Sequence, residues 1–209
     1  MKLINSPSFN GYPVLSKRGE LIEAILRGSE EVIAKGLSCH NRLTVMRFEL
    51  KFPVGYTGCV EIISKFFESL KYRIKNDLLK KGECKGRYVH SGVGYLWVKE
   101  LSGQRGWHYH ITLTLNHDVY NSLGRLYGTN ENMFNRIYLS WAGALGYHPD
   151  NAKGLVHIPE NPIYKLDCNS VSIHEDIHDV LYRMSYLAKI KTKPYGTGLG
   201  MRFFGTSQR

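Results

Sequence analysis

The chain has few cysteines, and their spacing excludes two common uses of this residue. Its 209 residues contain four of them. They stand at Cys39, Cys59, Cys84 and Cys168. No two have the Cys-x-x-Cys spacing of a zinc ribbon, and cysteines this scattered do not indicate a disulfide framework. We therefore expect a reducing, cytoplasmic setting.

Long apolar runs and phosphate-binding glycine loops are also missing. No stretch reaches the roughly 20 apolar residues that a membrane-spanning helix requires, and the first residues lack the apolar centre of a signal peptide. The Gly-x-x-x-x-Gly-Lys-Ser/Thr pattern of P-loop ATPases does not occur. We therefore expect no membrane partner and no ATPase or helicase activity within this chain.

Acidic residues are outnumbered by basic ones. The chain has 28 Lys and Arg against 18 Asp and Glu, which gives a net charge of +10 at pH 7. A charge of this size attracts polyanions over a long range. Fourteen tyrosines and three tryptophans supply rings that can stack on unpaired bases. The composition therefore favours nucleic-acid binding, although many basic proteins bind nothing specific.

Hydrophobic periodicity predicts an α+β protein in three parts. Residues 1–41 are expected to form an arm and a helix, residues 42–193 the main domain, and residues 194–209 a basic tail. Because strands and helices are segregated along the chain, we predict an antiparallel sheet covered by helices on one face. The predicted helices span residues 17–35, 57–81, 130–145 and about 172–191. The predicted strands span residues 43–52, 93–101, 106–115, 154–158 and 163–166.

Two histidines lie on one side of the strand predicted over residues 106–115. Because strand side chains alternate between faces, His108 and His110 point the same way. Their imidazoles would then lie close enough to hold one metal ion. The chain has nine histidines, so the spacing also arises by chance, and two packed or exposed histidines would explain it as well.

The loop before this strand predicts a third side chain beside the histidines. Residues 102–106 are typical of a short hairpin connection. If the turn centres on Gln104, Glu100 stands directly opposite His108, and directly opposed residues share a face of the sheet. The carboxylate of Glu100 would then point where the imidazoles point.

The last predicted helix carries two hydroxyls and an ammonium along one stripe. At about 100° per residue, Tyr182, Tyr186 and Lys189 fall within about 60° of one another. The neighbouring apolar stripe, which would pack on the sheet, consists of Ile177, Leu181, Met184 and Ala188. Packing tyrosines and a lysine at the negative end of the helix dipole are the plain alternative.

In order, these motifs resemble those of the HUH (His-hydrophobe-His) replication-initiator endonucleases. The resemblance rests on a strand ending near Phe52, Gly-Trp-His-Tyr-His-Ile-Thr-Leu at 106–113, and Tyr-Leu-Ala-Lys at 186–189. Within that superfamily the chain is similar to inovirus-type replication proteins and the YagK/YfjJ prophage proteins, over about residues 42–207. Further matching segments lie at 95–100, 154–161 and 202–207.

The resemblance implies a ferredoxin- or RRM-like core with a five-stranded antiparallel sheet and packed helices. It implies that His108 and His110 ligate a divalent metal, Mg²⁺ or Mn²⁺. Glu100 matches the position of an acidic third ligand, and Glu49 on the first long strand is the alternative.

The resemblance also assigns roles to the last helix. Tyr186 would be the nucleophile, and Lys189 would position or neutralise the phosphate. Tyr182 would be either a second nucleophile, as in phage initiators that alternate two tyrosines, or a structural residue. The basic residues that we expect to contact DNA are Arg47, Lys51, Lys191, Lys193 and Arg202.

The function implied is DNA nicking at an origin of rolling-circle replication. Attack by tyrosine would leave a 5′-phosphotyrosine and a free 3′-hydroxyl that primes synthesis. The expected partner is single-stranded or hairpin origin DNA of a phage, prophage or plasmid-like element, with host helicase and polymerase, in the bacterial cytoplasm.

Three other functions remain open on the sequence alone. A DNA-binding regulator could keep the fold and the basic charge without catalysis. The two-histidine phosphodiesterases use a His-x-Thr element, which His110-Ile-Thr112 fits, but they need two and the sequence has no second. A protein-interaction module is the third alternative.

Overall fold

Four α-helices and one large antiparallel sheet dominate the part of the chain that the structure describes. The structure is a computed structural model that describes residues 1–56, 61–102, 106–128, 131–193 and 202–207. The helices are α1 (Glu23–Cys39), α2 (Ile62–Lys85), α3 (Met133–Leu145) and α4 (Ile173–Ser185). The strands are β1 (Leu3–Ile4), β2 (Ser8–Phe9), β3 (Tyr12–Pro13), β4 (Leu21–Ile22), β5 (Arg42–Lys51), β6 (Gly94–Ser102), β7 (Gly106–Asn116), β8 (Val156–His157), β9 (Ile163–Asp167) and β10 (Phe204–Thr206).

The large sheet has the order β10-β6-β7-β5, and both β8 and β9 pair with the far side of β5. All of these pairings are antiparallel. The predicted α+β class and antiparallel sheet are confirmed, but the described sheet has six strands rather than five. The unexpected edge strand, β10, falls inside the predicted basic tail and pairs with residues 96–98 of β6. Of the predicted tail, the structure describes residues 202–207, and residues 194–201 and 208–209 lie outside the described residues.

Helices cover both faces of the sheet, whereas the sequence predicted cover on one face. On the first, here called the α2/α3 face, Phe48 and Ile111 pack against α2 and α3. On the second, the α1/α4 face, Val45, Val98 and Leu166 pack against α1 and α4. The central strands therefore bury both of their sides. On β7 the side toward α1 and α4 carries the polar residues His108, His110, Thr112 and Thr114, all of them buried. Polar residues that alternate with apolar ones are typical of an exposed face, so periodicity did not indicate the second layer of helices.

The N-terminal segment forms part of the α1/α4 face. Ile25 of α1 is fully buried in that core, and β1 pairs with β4. Leu21 of β4 also forms an antiparallel bridge with Lys189, and the amide of Ile190 donates to the carbonyl of Glu20 at 3.1 Å. The segment thus anchors the stretch of chain that follows α4.

Two helices extend beyond their predicted ends at residues 35 and 81. α1 continues through Gly36, where an added Cβ would lie 2.6 Å from the side chain of Leu43. Close packing, and not a helix stop, explains that glycine. α2 ends at Lys85, and the following Gly86 has a φ of +60° that suits a glycine C-cap. The predicted start of α2 at residues 57–60 lies outside the described residues.

α4 ends at Ser185, earlier than the predicted end near Lys191. Residues 186–188 continue as a short 3₁₀ turn, and Lys189 has an extended backbone. The hydroxyl of Ser172, the residue before α4, donates to Asp176 at 3.0 Å and caps no backbone amide. The predicted apolar stripe is confirmed, since Met184 is fully buried in the α1/α4 core together with Leu181, Ala188 and the partly buried Ile177.

None of the helices in the described residues combines the length and apolar character needed to cross a bilayer.

Candidate metal and tyrosine site

β6 and β7 bring Glu100, His108 and His110 together on the α1/α4 face. The register pairs Glu100 with His108 and Val98 with His110, which confirms the alignment predicted from the turn, although Gln104 itself lies outside the described residues. One ligand atom from each of the three side chains lies within 4.8 Å of the others. All three are buried. A single cation would fit between them.

The two imidazoles direct the same nitrogen into this cluster. Nε2 of His108 lies 3.2 Å from Nε2 of His110, which in turn lies 3.3 Å from Oε2 of Glu100. The other nitrogens face outward. Nδ1 of His108 lies 3.1 Å from the carbonyl oxygen of Gly106, and Nδ1 of His110 lies 3.3 Å from Oε1 of Glu49. Outer partners of this kind fix the ring orientation and leave Nε2 available as a ligand.

The outer partners come from the backbone turn and from the neighbouring strand. Glu49 of β5 is the direct register partner of His110, so its carboxylate reaches the far nitrogen of that ring. Gly106 opens β7 with a φ of +63°, a conformation that glycine adopts without strain. Its carbonyl is thereby turned toward His108. Glu49 lies near the cluster but outside the group of three ligand atoms.

The donor set fits a divalent cation. Two imidazole nitrogens and one carboxylate oxygen converge, and three protein ligands leave positions for water or substrate. Imidazole suits borderline cations better than Mg²⁺, which prefers oxygen ligands. Of the two metals expected from the sequence, Mn²⁺ therefore fits this set better.

Lys193 forms a buried ion pair with Glu100, and its side chain is 0% exposed. Burial alone would raise the pKa of Glu100, but the hydrogen bond and charge of His110 and the ammonium of Lys193 together hold that pKa well below its ordinary value. Burial, with the nearby His110, lowers the pKa of His108. Glu100 is therefore charged and His108 neutral near pH 7, the protonation states in which both can ligate a metal.

Tyr186 lies beside His110 on the same face of the sheet. The two ring centroids are 6.2 Å apart, and the ring planes meet at 84°. Nζ of Lys189 lies 3.4 Å from the centroid of the Tyr186 ring, and Lys189 is itself buried. The bridge between Leu21 and Lys189 helps to hold this arrangement. A phenol, an ammonium and a potential metal cluster thus share one place.

Tyr182 lies apart from this group. It is 40% exposed and belongs to α4, whereas Tyr186 belongs to the 3₁₀ turn after it. The predicted single stripe of Tyr182, Tyr186 and Lys189 assumed an unbroken helix, so its geometry fails beyond Ser185. Lys189 reaches Tyr186 through an extended backbone instead.

The basic residues expected to contact DNA occupy different parts of the molecule. Lys51 of β5 is the register partner of His108, and Arg47 lies two residues before Glu49 on the same face of that strand. Lys191 is exposed just beyond Lys189. Arg202 stands at the sheet edge, on the α2/α3 face. These four positions do not form one patch.

The observed position of Lys193 differs clearly from the position expected from the sequence. It was expected on a DNA-binding surface, and its side chain instead pairs with Glu100 inside the site. The partners of the outer imidazole nitrogens were missed as well, because a backbone carbonyl such as that of Gly106 leaves no signal in residue types. The position of Glu49 opposite His110 follows from strand register, which the sequence did not supply for β5 and β7.

Comparison with known proteins identifies the family. The YagK/YfjJ C-terminal domain family matches residues 4–207. The uncharacterized protein YagK of Escherichia coli strain K12 is 37% identical over 177 residues, which cover 80% of this chain and 84% of the relative. The uncharacterized protein YfjJ of the same strain is 31% identical over 192 residues, which cover 86% of this chain and 91% of the relative. No solved structure matches the chain. The predicted similarity to these prophage proteins is therefore confirmed, and the chain belongs to the YagK/YfjJ C-terminal domain family.

Proposed function

We propose that this protein is a metal-dependent DNA-nicking endonuclease and strand transferase of the HUH type, which starts rolling-circle replication. One observation carries the proposal. The ring of Tyr186 lies 6.2 Å from the ring of His110, and His110 belongs to the cluster with Glu100 and His108. A nucleophile and a cation-binding group from distant parts of the chain share one face.

The overall architecture supports the same assignment. The strand with the two histidines is central in an antiparallel sheet, between β5 and β6, and the tyrosine follows a helix that packs on the same side. This resembles the ferredoxin- or RRM-like core expected for HUH enzymes, with an added edge strand.

The reaction needs charge neutralisation, because a phosphodiester repels a nucleophile. A divalent cation in the cluster would neutralise a non-bridging phosphate oxygen and stabilise the crowded transition state. Lys189, whose ammonium lies over the Tyr186 ring, would add a second positive charge near the phenol. Nearby cations favour the phenolate, which is the nucleophilic form of tyrosine.

The reaction forms one bond and breaks one bond. The phenol oxygen of Tyr186 forms a bond to phosphorus, and the bond from phosphorus to the 3′-oxygen breaks. The phenol proton leaves to solvent, and the departing oxygen takes up a proton to become a free 3′-hydroxyl. Attack by a 3′-hydroxyl on the phosphotyrosine reverses these changes and rejoins a strand.

The test uses single-stranded DNA from the replication region of the element that encodes the chain, incubated with protein and Mn²⁺ and resolved on a denaturing gel. DNA labelled at its 3′ end should appear as a protein adduct, since the phosphotyrosine retains the 5′ side of the downstream fragment. DNA labelled at its 5′ end should give a shortened free product. Label from the 5′ end in the adduct would reverse the polarity and contradict the proposal, as would the absence of any adduct.

A second function, a DNA-binding regulator with the same fold, is favoured by one observation. The ion pair of Lys193 with Glu100 satisfies the carboxylate without any cation, as expected where the cluster only holds the chain together. In the same assay a regulator would retard DNA on a native gel in both the presence and the absence of Mn²⁺, and no DNA would be cut.

A further inference from the structure

A groove with aromatic and basic walls lies on the α2/α3 face, away from the histidines. It encloses about 620 Å³ between the first turns of α2 and the edge formed by β6 and β10. Tyr95 and Trp97 of β6 line it, and they alternate with Val98 and Glu100, which face the other side. The groove is therefore separate from the metal and tyrosine site, with the sheet between them.

The charge of the groove is entirely positive. Two exposed cations line it, Lys71 of α2 and Arg202 beside β10, and among the residues that the structure describes no other lining residue is charged. Each cation lies over a ring of the groove wall. Nζ of Lys71 is 5.2 Å from the centroid of Tyr95, and the guanidinium carbon of Arg202 is 5.8 Å from the Trp97 ring. Cations without acidic partners in a groove of this kind attract an anion.

The aromatic wall is rigid. Tyr95 stacks on the buried ring of Phe67, with 3.6 Å between centroids and 13° between planes. Trp97 meets Tyr109 edge to face at 5.7 Å. Phe67 thus supports the Tyr95 ring, and the flexible side chain of Lys71 lies over that ring. Movement of that lysine toward a phosphate would expose a ring already held in position for stacking.

Gly205 permits the close approach that brings Arg202 into the groove. A Cβ at this position would lie 2.7 Å from Nε1 of Trp97 and 2.8 Å from a terminal nitrogen of Arg202. Nε of Arg202 donates to the carbonyl of Phe204 at 2.9 Å. The backbone of β10 therefore fixes the base of the guanidinium, while its outer part faces the groove.

We propose that this groove binds a segment of single-stranded DNA, with a base stacked on Tyr95 and phosphates paired with Lys71 and Arg202. Rings with adjacent cations and without acids are the features that unpaired strands recognise, because every base has a face to stack and every linkage a charge. The inference rests on the proposed function in taking DNA as the substrate. It assigns that DNA a second contact on the α2/α3 face of the sheet, opposite the metal and tyrosine site, where no cleavage occurs.

The test measures the binding of a fluorescein-labelled oligothymidylate to the full chain by anisotropy, with EDTA present so that no strand is cut. The double variant Lys71→Gln/Arg202→Gln is compared with Lys75→Gln/Lys85→Gln, which removes the same charge from exposed positions of α2. We expect the groove variant to bind about tenfold more weakly. The slope of log affinity against log salt should fall by about 1.4, since each phosphate contact with a single strand contributes about 0.7. The control should have the same affinity and the same salt slope as the parent.

Tyr95→Leu separates stacking from charge. It should weaken binding at least about fivefold through the lost base stacking, and leave the salt slope unchanged. The single variant Lys71→Gln, at an exposed position, serves if either of the others fails to fold.

Two results would overturn the proposal. One is equal affinity and slope in the groove variant and its control. The other is that folded Tyr95→Leu binds the oligothymidylate as tightly as the parent and that polyglutamate competes as well as unlabelled DNA. The groove would then be a site for an acidic protein. The adduct assay reports separately on nicking. If no adduct forms but the groove variant binds DNA more weakly than its control, only the proposed function is contradicted. If adducts form but the groove variant binds DNA as well as its control, only this inference is contradicted.

Discussion

The ring of Tyr186 meets the ring of His110 edge to face, with 6.2 Å between their centroids and 84° between their planes. His110 belongs to the central strand of the sheet, and Tyr186 to the turn after α4. Leu187 and Ala188, which follow Tyr186 in that turn, are buried in the α1/α4 core. Core packing therefore fixes the distance between the phenol and the histidine cluster.

Tyr186→Phe tests the role of the phenol oxygen, because it keeps the ring and removes only the hydroxyl. We expect no covalent DNA adduct and an affinity for single-stranded DNA within about twofold of the parent, since one hydroxyl adds little to binding by many phosphate contacts. Tyr182→Phe is the matched control at an exposed position, and it should still form the adduct. Adducts from Tyr186→Phe, lost in Tyr182→Phe, would make Tyr182 the primary nucleophile.

His108→Ala tests the metal cluster directly. We expect isothermal titration calorimetry to detect Mn²⁺ binding by the parent, and removal of one of the three proposed ligands should abolish it. His148→Ala serves as the control, because that side chain is 73% exposed and lies beside Asp150, away from the cluster. Equal Mn²⁺ binding by parent and His108→Ala would show that the cluster is not the metal site.

Glu49→Gln asks whether this carboxylate orients His110 or ligates the metal itself. Because Glu49 lies at Nδ1 of His110, we expect an outer role, and loss of such a partner lowers metal affinity about tenfold or more. Glu100→Gln should lower the Mn²⁺ affinity further, since it removes a ligand. The opposite order of the two variants would make Glu49 the third ligand and Glu100 the supporting group.

The sequence could predict those parts of the site that local rules determine. The pairing of Glu100 with His108 follows from a short hairpin, whose turn sets the register of both strands. The buried side of α4 follows from its apolar spacing, which assigned Met184 to the core. In both cases the determining residues lie close together in the chain.

The parts that failed depend on contacts between distant segments. α4 ends at Ser185, where the hydroxyl accepts a hydrogen bond from the amide of Leu15 at 2.9 Å, and Leu21 then pairs with Lys189. These contacts draw the chain out of a helix that periodicity alone would extend. The pairing of Lys193 with Glu100 was likewise inaccessible, because a lysine among other basic residues carries no sign of a buried partner.

The low pKa of Glu100 predicts a pH dependence of stability. A carboxyl whose pKa is lowered by folding stabilises the protein when the pH is above the pKa of that carboxyl in the unfolded chain, near 4.5. This contribution disappears as the pH falls toward the pKa in the folded protein. The unfolding free energy of the parent should therefore exceed that of Glu100→Gln by a constant amount above about pH 5.5, and the difference should shrink below pH 4.5. Urea denaturation across this range measures it. A gap that widens on acidification would contradict the assignment.

Lys193→Met tests whether the ammonium and a metal compete for Glu100. In the parent the buried ion pair already neutralises this carboxylate, so a cation gains less by binding there. The variant leaves the buried carboxylate of Glu100 without an ammonium partner. In the absence of metal, its free energy of unfolding should be about 3 kcal/mol lower than that of the parent. Since a ligand that binds the folded state stabilises it more at higher affinity, Mn²⁺ should raise the Tm of Lys193→Met more than that of the parent. Lys191→Met, at an exposed neighbouring position, should respond like the parent. Equal shifts in Lys193→Met and the parent would mean that the ion pair persists beside the metal, and Lys193 would then be a permanent member of the site.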